Sequence, residues 1–204
     1  MTHPKDIVRS GYDTASWAYR PDDAPDGRYG VWLAEATEGL PPGADALDLG
    51  CGCGIPAARW LVERGFSVTG ADISPVQIER ARKLVPGATF LCQDMTDLEL
   101  APRCLDAIVC LWAIIHVPLE EQPALIAAMH RWLRPGGRLL ITVGAGPWTG
   151  IEEDWCDVPG AVMYWSHEGT ETYLAWLRDA GFEIGWHRFV PEDDGGHTLV
   201  LARA

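Results

Sequence analysis

The sequence is poor in basic residues and lacks a long apolar run. Lysine and arginine number 16 against 29 aspartate and glutamate residues, so the formal net charge is −13 over 204 residues. Because such a surface repels phosphate backbones, we expect no nucleic-acid partner. No apolar run is long enough to span a membrane, and the N-terminus lacks the apolar segment of a signal peptide. We therefore expect no membrane partner either.

The sequence also lacks a cysteine pair with the spacing of a metal or redox motif. Cys51 and Cys53 are separated by one residue, not by the two of such motifs. Most of the six cysteines lie in predicted strands or at the glycine-rich turn of residues 50–54, where a reduced thiol serves as a small packing residue. We expect reduced cysteines, no metal site and a cytoplasmic location.

Internal repeats and linkers are absent, and the length suits one domain, residues 1–204. Apolar strand patterns alternate with helical patterns, which predicts an α/β fold with a doubly wound parallel sheet and helices on both faces. Two more strands close the chain and must be antiparallel, because the turn between them is short. The predicted strands are 45–49, 66–71, 88–92, 105–111, 138–144, 182–190 and 197–203.

A glycine-rich turn follows the first predicted strand. Asp48 lies near the end of that strand, and glycines at positions 50, 52 and 54 let the backbone pass close to a ligand. The helix that follows offers free N–H groups, which favour a negatively charged group. The dinucleotide fingerprint needs a glycine at position 55, where this chain has Ile55. The pattern is instead D-x-G-x-G-x-G.

This pattern resembles the first motif of the class I, Rossmann-like S-adenosylmethionine-dependent methyltransferases of the small-molecule type. Further matches follow in order over nearly the whole chain: Asp72 at the end of the second strand, Asp94-Met95 after the third, and the antiparallel last strand. The resemblance implies a seven-stranded sheet in the order 3-2-1-4-5-7-6. It also implies S-adenosyl-L-methionine as the cofactor.

The resemblance assigns roles residue by residue. It implies that Asp72 accepts the ribose hydroxyls, that Ile73 contacts adenine, and that Asp94 and Met95 recognise the adenine edge. An N-terminal helical lid over residues 1–40 would close on the cofactor. The residues predicted to bind the cofactor are Tyr12, Tyr19, Asp48, Gly50, Cys51, Gly52, Gly54, Asp72, Ile73, Asp94, Met95 and Leu111.

The methyl acceptor is expected at the same edge, because ligands of open parallel sheets bind outside the carboxyl ends of the strands. His116 and His167 are candidate catalytic residues there, with structural roles as the alternative. Residues 145–166 are predicted to form an irregular, aromatic loop near the acceptor site. The residues predicted to bind the acceptor are Trp17, Trp112, Trp148, Tyr164, Trp165 and His197.

The predicted function is in-line methyl transfer to a small molecule, with oxygen favoured over nitrogen as the acceptor atom. A general base is needed only where the acceptor must lose a proton. Two alternatives stay open. One is a cofactor-binding protein that transfers no methyl group, and the other is a protein or nucleic-acid methyltransferase, which would need a basic docking surface. We expect a monomer or a homodimer.

Overall fold

The structure is a computed structural model that describes residues 2–192 and 195–204. Within these residues the helices are α1 (Pro4–Tyr19), α2 (Gly27–Thr37), α3 (Ala57–Glu63), α4 (Pro75–Leu84), α5 (Gln122–Trp132) and α6 (Thr170–Asp179). The strands are β1 (Asp45–Leu49), β2 (Ser67–Asp72), β3 (Thr89–Cys92), β4 (Leu105–Cys110), β5 (Leu133–Gly144), β6 (Trp148–Glu153), β7 (Val162–His167), β8 (Glu183–Glu192) and β9 (Gly195–Arg203). Among the described helices, none combines the length and the apolar character needed to cross a membrane.

Seven strands form one sheet in the order β3-β2-β1-β4-β5-β9-β8. The first five of these pair in parallel, and β9 runs antiparallel to both of its neighbours. Since β8 and β9 are the sixth and seventh strands of this sheet in chain order, the predicted strand order is confirmed. The central strands β1 and β4 are buried almost throughout, as expected for parallel strands covered on both faces.

Local signals placed several element boundaries correctly. The Ser74 side chain accepts a hydrogen bond from the Gln77 amide at 3.1 Å, and Pro75 occupies the first position of α4. The predicted start of the fifth strand at Arg138 is wrong, because β5 begins at Leu133. The register with β4 shifts within this stretch, so the predicted turn is an irregularity inside the strand.

The prediction of an irregular loop over residues 145–166 is wrong. Strands β6 and β7 form an antiparallel hairpin, a two-stranded sheet separate from the main one. The connection between them contains Asp154, Cys156 and Asp157 with positive φ values of 51–58°, a conformation that few non-glycine residues adopt. Pro159-Gly160 is a turn signal in this connection, but the left-handed positions 154, 156 and 157 carry no glycine, so the sequence did not predict a hairpin between the flanking aromatic and β-branched residues.

Helix α1 packs on this hairpin and forms a second hydrophobic cluster with it. Its buried residues are Val8, Ala15, Trp155, Ala161 and Met163. Gly11 lets the helix cross β7 closely, because a Cβ at this position would lie 2.3 Å from the Val162 carbonyl oxygen. We call α1 together with the β6–β7 hairpin and its connection the cap. The main core lies separately, between the seven-stranded sheet and the other helices.

Candidate functional site

A cavity of about 910 Å³, which includes space open to solvent, lies where β1, β2 and β4 end beneath the cap. Of the residues predicted to bind a cofactor, those that line the cavity are Tyr12, Tyr19, Asp48, Gly50, Cys51, Gly52, Asp72, Ile73, Asp94, Met95 and Leu111. Gly54 lies outside this lining, since a Cβ there would touch Val85 and Phe90.

The glycines of the turn after β1 have different roles. Gly50 has φ +77°, and a Cβ at this position would lie 2.2 Å from the Ala113 Cβ, so the residue permits close packing of two loops. Gly52 has φ +52°, and a Cβ there would meet no heavy atom within 4 Å. The Gly50 and Cys51 amides donate to the Ala71 carbonyl at 2.8 and 3.0 Å, which fixes the turn against β2. The space beside Gly52 is therefore available to a ligand.

Two buried carboxyl groups form the floor of the cavity. The Asp72 Oδ2 atom accepts from the Gly52 amide and its Oδ1 atom from the Ser74 amide, both at 2.8 Å. Burial raises the pKa of Asp72 to about 6, against the opposing effect of these amides, and burial raises the pKa of Asp48 to about 7. Each Asp72 oxygen keeps a second lone pair that can accept from a ligand. The floor therefore favours a ligand with hydroxyl donors or a positive charge.

Lys5 joins the start of α1 to the far end of the cavity, and sequence reasoning missed it. Its Nζ atom lies 2.8 Å from the Asp94 Oδ2 atom and also pairs with Glu121. Burial disfavours the charge on Asp94, but donation from Lys5 and from Thr96 outweighs burial and lowers the pKa of this carboxyl. Asp94 is therefore ionised, and Lys5 holds α1 over it.

Arg20 and Tyr29 also line the cavity, and neither was predicted. The Arg20 guanidinium lies 5.5 Å from the Tyr19 ring centroid and 5.1 Å from the Tyr29 ring centroid. It also donates to the Tyr29 hydroxyl at 3.0 Å. Two tyrosines thus orient a guanidinium toward the cavity, where it can pair with a carboxylate of a ligand. The position of Arg20 directly after Tyr19 was the sequence signal that could have found it.

His116 lines the cavity and is held between two elements of the cap. Its Nδ1 atom lies 2.8 Å from the Tyr164 carbonyl oxygen, which can only accept, so we assign the proton to Nδ1. The Nε2 atom, 3.2 Å from the Tyr12 hydroxyl, is then the acceptor of that hydrogen bond. Burial lowers the pKa of His116 to about 4, although the Tyr164 carbonyl opposes this effect. The imidazole is therefore neutral near pH 7.

The other predicted acceptor contacts fall into two groups. Trp112 lines the cavity directly. Trp165 lies behind His116, with 4.4 Å between the ring centroids, and its ring is 6.3 Å from that of His197. Tyr164 reaches the site through its backbone carbonyl, which contacts His116. Trp165, Tyr164 and His197 therefore form a layer next to the cavity, whereas Trp112 is part of its wall.

Three predicted contacts lie farther out. Trp17 is 58% exposed and packs on the Arg80 guanidinium at 4.8 Å, so the structure places it on the outer surface of α1. Trp148 is 46% exposed on β6. His167 lies outside the cavity lining, and its Nδ1 atom is 2.8 Å from the Gly146 carbonyl. The cavity brings together none of these three side chains.

Comparison with known proteins shows the family to which the chain belongs. Residues 46–137 match a protein family described as a methyltransferase domain. Over 170 residues the chain is 31% identical to a ubiquinone biosynthesis O-methyltransferase from Pseudomonas paraeruginosa, and the match covers 75% of this chain and 69% of that protein. A match of this identity and extent shows that the chain belongs to the methyltransferase family.

Solved structures show the same fold. The chain superposes with a TM-score of 0.74 and 21% identity on magnesium protoporphyrin IX methyltransferase from Synechocystis with bound S-adenosylmethionine, covering 100% of this chain and 98% of that one. A (4+2) cyclase, SpnF, gives a TM-score of 0.77 and 21% identity over 99% and 97% of the two chains. Sheet order, glycine turn and sequence similarity lead to one conclusion: the chain belongs to the class I, Rossmann-like methyltransferases, enzymes whose cofactor is S-adenosyl-L-methionine.

Proposed function

We propose that this methyltransferase transfers the methyl group to an oxygen atom of a small-molecule acceptor. The observation that carries the proposal is the neutral His116 imidazole at the cavity, whose acceptor nitrogen is paired with the Tyr12 hydroxyl. A hydroxyl acceptor must lose a proton, and this pair can receive it. The name of the Pseudomonas relative, an O-methyltransferase, supports the same acceptor atom.

The cavity fits the cofactor. The open space beside Gly52 accommodates a ligand against the backbone, and Asp72 would hold the ribose hydroxyls through its free lone pairs. Asp94 would accept from the adenine amino group, and Arg20 would pair with the carboxylate of the methionine part. When bound, the cofactor supplies a methyl group on a positively charged sulfur, so the chemical task left to the protein is alignment and proton removal.

The proposed proton path uses two groups of the cap. The acceptor hydroxyl gives its proton to the Tyr12 oxygen while the Tyr12 proton moves to the His116 Nε2 atom, 3.2 Å away. Because burial keeps the pKa of His116 near 4, the imidazole is a weak base. The transfer becomes favourable only as the new bond to carbon makes the acceptor oxygen strongly acidic. His116 therefore acts during methyl transfer and not before it.

A small acceptor suits the closed shape of the site. The cap covers the cavity with α1, and the half-buried Tyr12 ring and the buried Trp155 ring lie 5.0 Å apart within it. An extended chain of a protein or a nucleic acid would have to displace this packing. The net charge of −13 also disfavours a nucleic acid. We therefore propose that the acceptor is a small molecule with no more than a few rings.

Cofactor binding is tested by calorimetry with S-adenosylmethionine and S-adenosylhomocysteine. Asp72→Ala removes charge-assisted hydrogen bonds to the ribose, so we expect the affinity to fall about 10- to 100-fold. Asp23→Ala, at an exposed aspartate outside the cavity lining in the loop after α1, is the matched control and should bind as the wild type does. Unchanged affinity of Asp72→Ala would refute its assignment.

The acceptor atom is tested with a panel of phenols, alcohols, carboxylates, thiols and amines. We expect His116→Gln to reduce methylation of hydroxyl acceptors about 100-fold, in the range typical of general-base catalysis, and to spare carboxylate and thiolate acceptors. Methylation of amines alone would contradict the choice of oxygen. Cofactor binding without turnover on any acceptor would support the alternative of a binding protein that transfers no methyl group.

A further inference from the structure

Glu192, at the end of β8, receives donors from three separate elements. Its Oε1 atom accepts from the Trp112 indole nitrogen at 2.7 Å and lies 3.3 Å from an Arg28 guanidinium nitrogen. Its Oε2 atom lies 2.7 Å from the His197 Nδ1 atom. Burial disfavours the charge of Glu192, but donation from His197 and Trp112 outweighs burial and lowers its pKa. One ionised carboxylate thus joins α2, the segment after β4, and β9.

Trp112 needs such support. Its φ is +50°, a left-handed conformation that is a clear outlier for a bulky residue. The side chain is only 8% exposed and lines the cavity. The Trp32 ring lies nearly parallel to it at 5.7 Å, and the Tyr29 ring lies 5.3 Å away. These rings fill the space behind the indole, but the contact with Glu192 is the one that fixes the direction of its N–H group.

Glu192 also fixes His197. A carboxylate can only accept, so the 2.7 Å contact assigns a proton to the His197 Nδ1 atom. This ring lies in the layer behind the cavity, 6.3 Å from Trp165 and 5.7 Å from His167. The same carboxylate therefore sets the orientation of a cavity wall and that of a neighbouring histidine ring.

We infer that Glu192 is a positioning residue, which holds the Trp112 indole as a wall of the ligand cavity and orients His197 beside it. The inference rests on the proposed function only in taking the cavity as the site of the bound cofactor and acceptor. Glu192 itself lies outside the cavity lining. Its effect on binding passes through Trp112.

The hydrogen bond is tested by nuclear magnetic resonance of the indole N–H groups in the full chain. The Trp112→Phe variant identifies the Trp112 signal. A bond to an ionised acceptor is shorter and stronger than one to a neutral acceptor, so we expect Glu192→Gln to move this signal upfield and Glu192→Ala to move it further. Glu183→Gln, at an exposed position on the same strand, should leave it in place. An unmoved signal in Glu192→Ala overturns the inference.

The positioning role is tested by calorimetry with S-adenosylhomocysteine on the same variants. We expect Glu192→Ala to bind about tenfold more weakly, which corresponds to the loss of one hydrogen bond to a charged group. Glu192→Gln keeps an acceptor oxygen for Trp112 and should recover part of this loss. Wild-type affinity in Glu192→Ala, even with a shifted Trp112 signal, would overturn the role. If the wild type does not bind the probe, the proposed function fails, while the Trp112 signal still decides the hydrogen bond.

Discussion

The buried His116 should make stability depend on pH in a way that one substitution removes. Burial lowers the pKa of this histidine to about 4, against an ordinary value of 6.5 in the unfolded chain. Between these two values the unfolded chain binds a proton that the folded protein does not. The stability that the protein gains by keeping His116 neutral is therefore fully present above pH 6.5 and is lost as the pH falls toward 4.

The size of this effect follows from the two pKa values. They differ by about 2.5, and each pKa unit corresponds to about 1.4 kcal/mol. The free energy of unfolding should therefore fall by about 2 kcal/mol from this group between pH 7 and pH 5, and by about 3 kcal/mol by pH 4. His116 is 5% exposed, so screening by solvent reduces the effect little.

Other groups act in the opposite direction, so a comparison between variants is needed. Burial raises the pKa of Asp48 to about 7, and this contribution is present at low pH and lost as the pH rises from 3.8 to 7. In His116→Gln the acidic groups remain and the histidine is gone. The difference in unfolding free energy between wild type and His116→Gln isolates the histidine.

The assay is urea unfolding followed by tryptophan fluorescence from pH 4 to pH 7.5. We expect the advantage of wild type over His116→Gln to shrink as the pH falls, by the amounts given above. His187→Gln, at an exposed position on β8, controls for the loss of a histidine. A difference between wild type and His116→Gln that is independent of pH would refute the account of a neutral, buried imidazole.

Two further predictions concern packing and closure. Gly50→Ala places a Cβ 2.2 Å from that of Ala113 at a positive φ, so we expect the free energy of urea unfolding to fall by about 2–4 kcal/mol. Gly160 has a similar positive φ, but a Cβ there meets no atom within 4 Å. We therefore expect Gly160→Ala to lower the free energy of unfolding by only about 1 kcal/mol. An equal cost for both would show that backbone strain, and not the contact, is responsible. Lys5→Met removes the ion pair with Asp94, so we expect hydrogen exchange of the amides in the first turns of α1 to become about tenfold faster. Unchanged exchange rates would contradict the role of Lys5 in holding the helix.

The half of the site nearest the glycine turn was predictable because its signals are local. Asp48 and Gly50 follow one another within a strand and a turn, and Asp72 stands two residues before the Ser74 cap of α4. Each of these local signals predicts where a strand or helix begins or ends, and each places its residue at the same edge of the sheet. The local sequence pattern and the resemblance to the family therefore predicted together that these residues meet at the cavity.

The other half depends on contacts between residues far apart in the chain. Lys5 reaches Asp94, and Glu192 joins Trp112 to His197, through packing that no local pattern specifies. The β6–β7 hairpin was missed for a related reason, since its connection uses left-handed residues other than glycine. Tertiary contacts, and not the intrinsic secondary-structure propensity of the residues, determine these features.

The separate hydrophobic cluster of the cap has a consequence for how this enzyme can diverge. The hairpin is a two-stranded sheet of its own, and its Met163 side chain packs with α1, while Trp165 is the hairpin side chain that also packs against the main core. Substitutions within it can therefore change the upper boundary of the cavity without disturbing the acidic floor. A lineage can exchange one acceptor for another by altering the cap while the donor site stays constant.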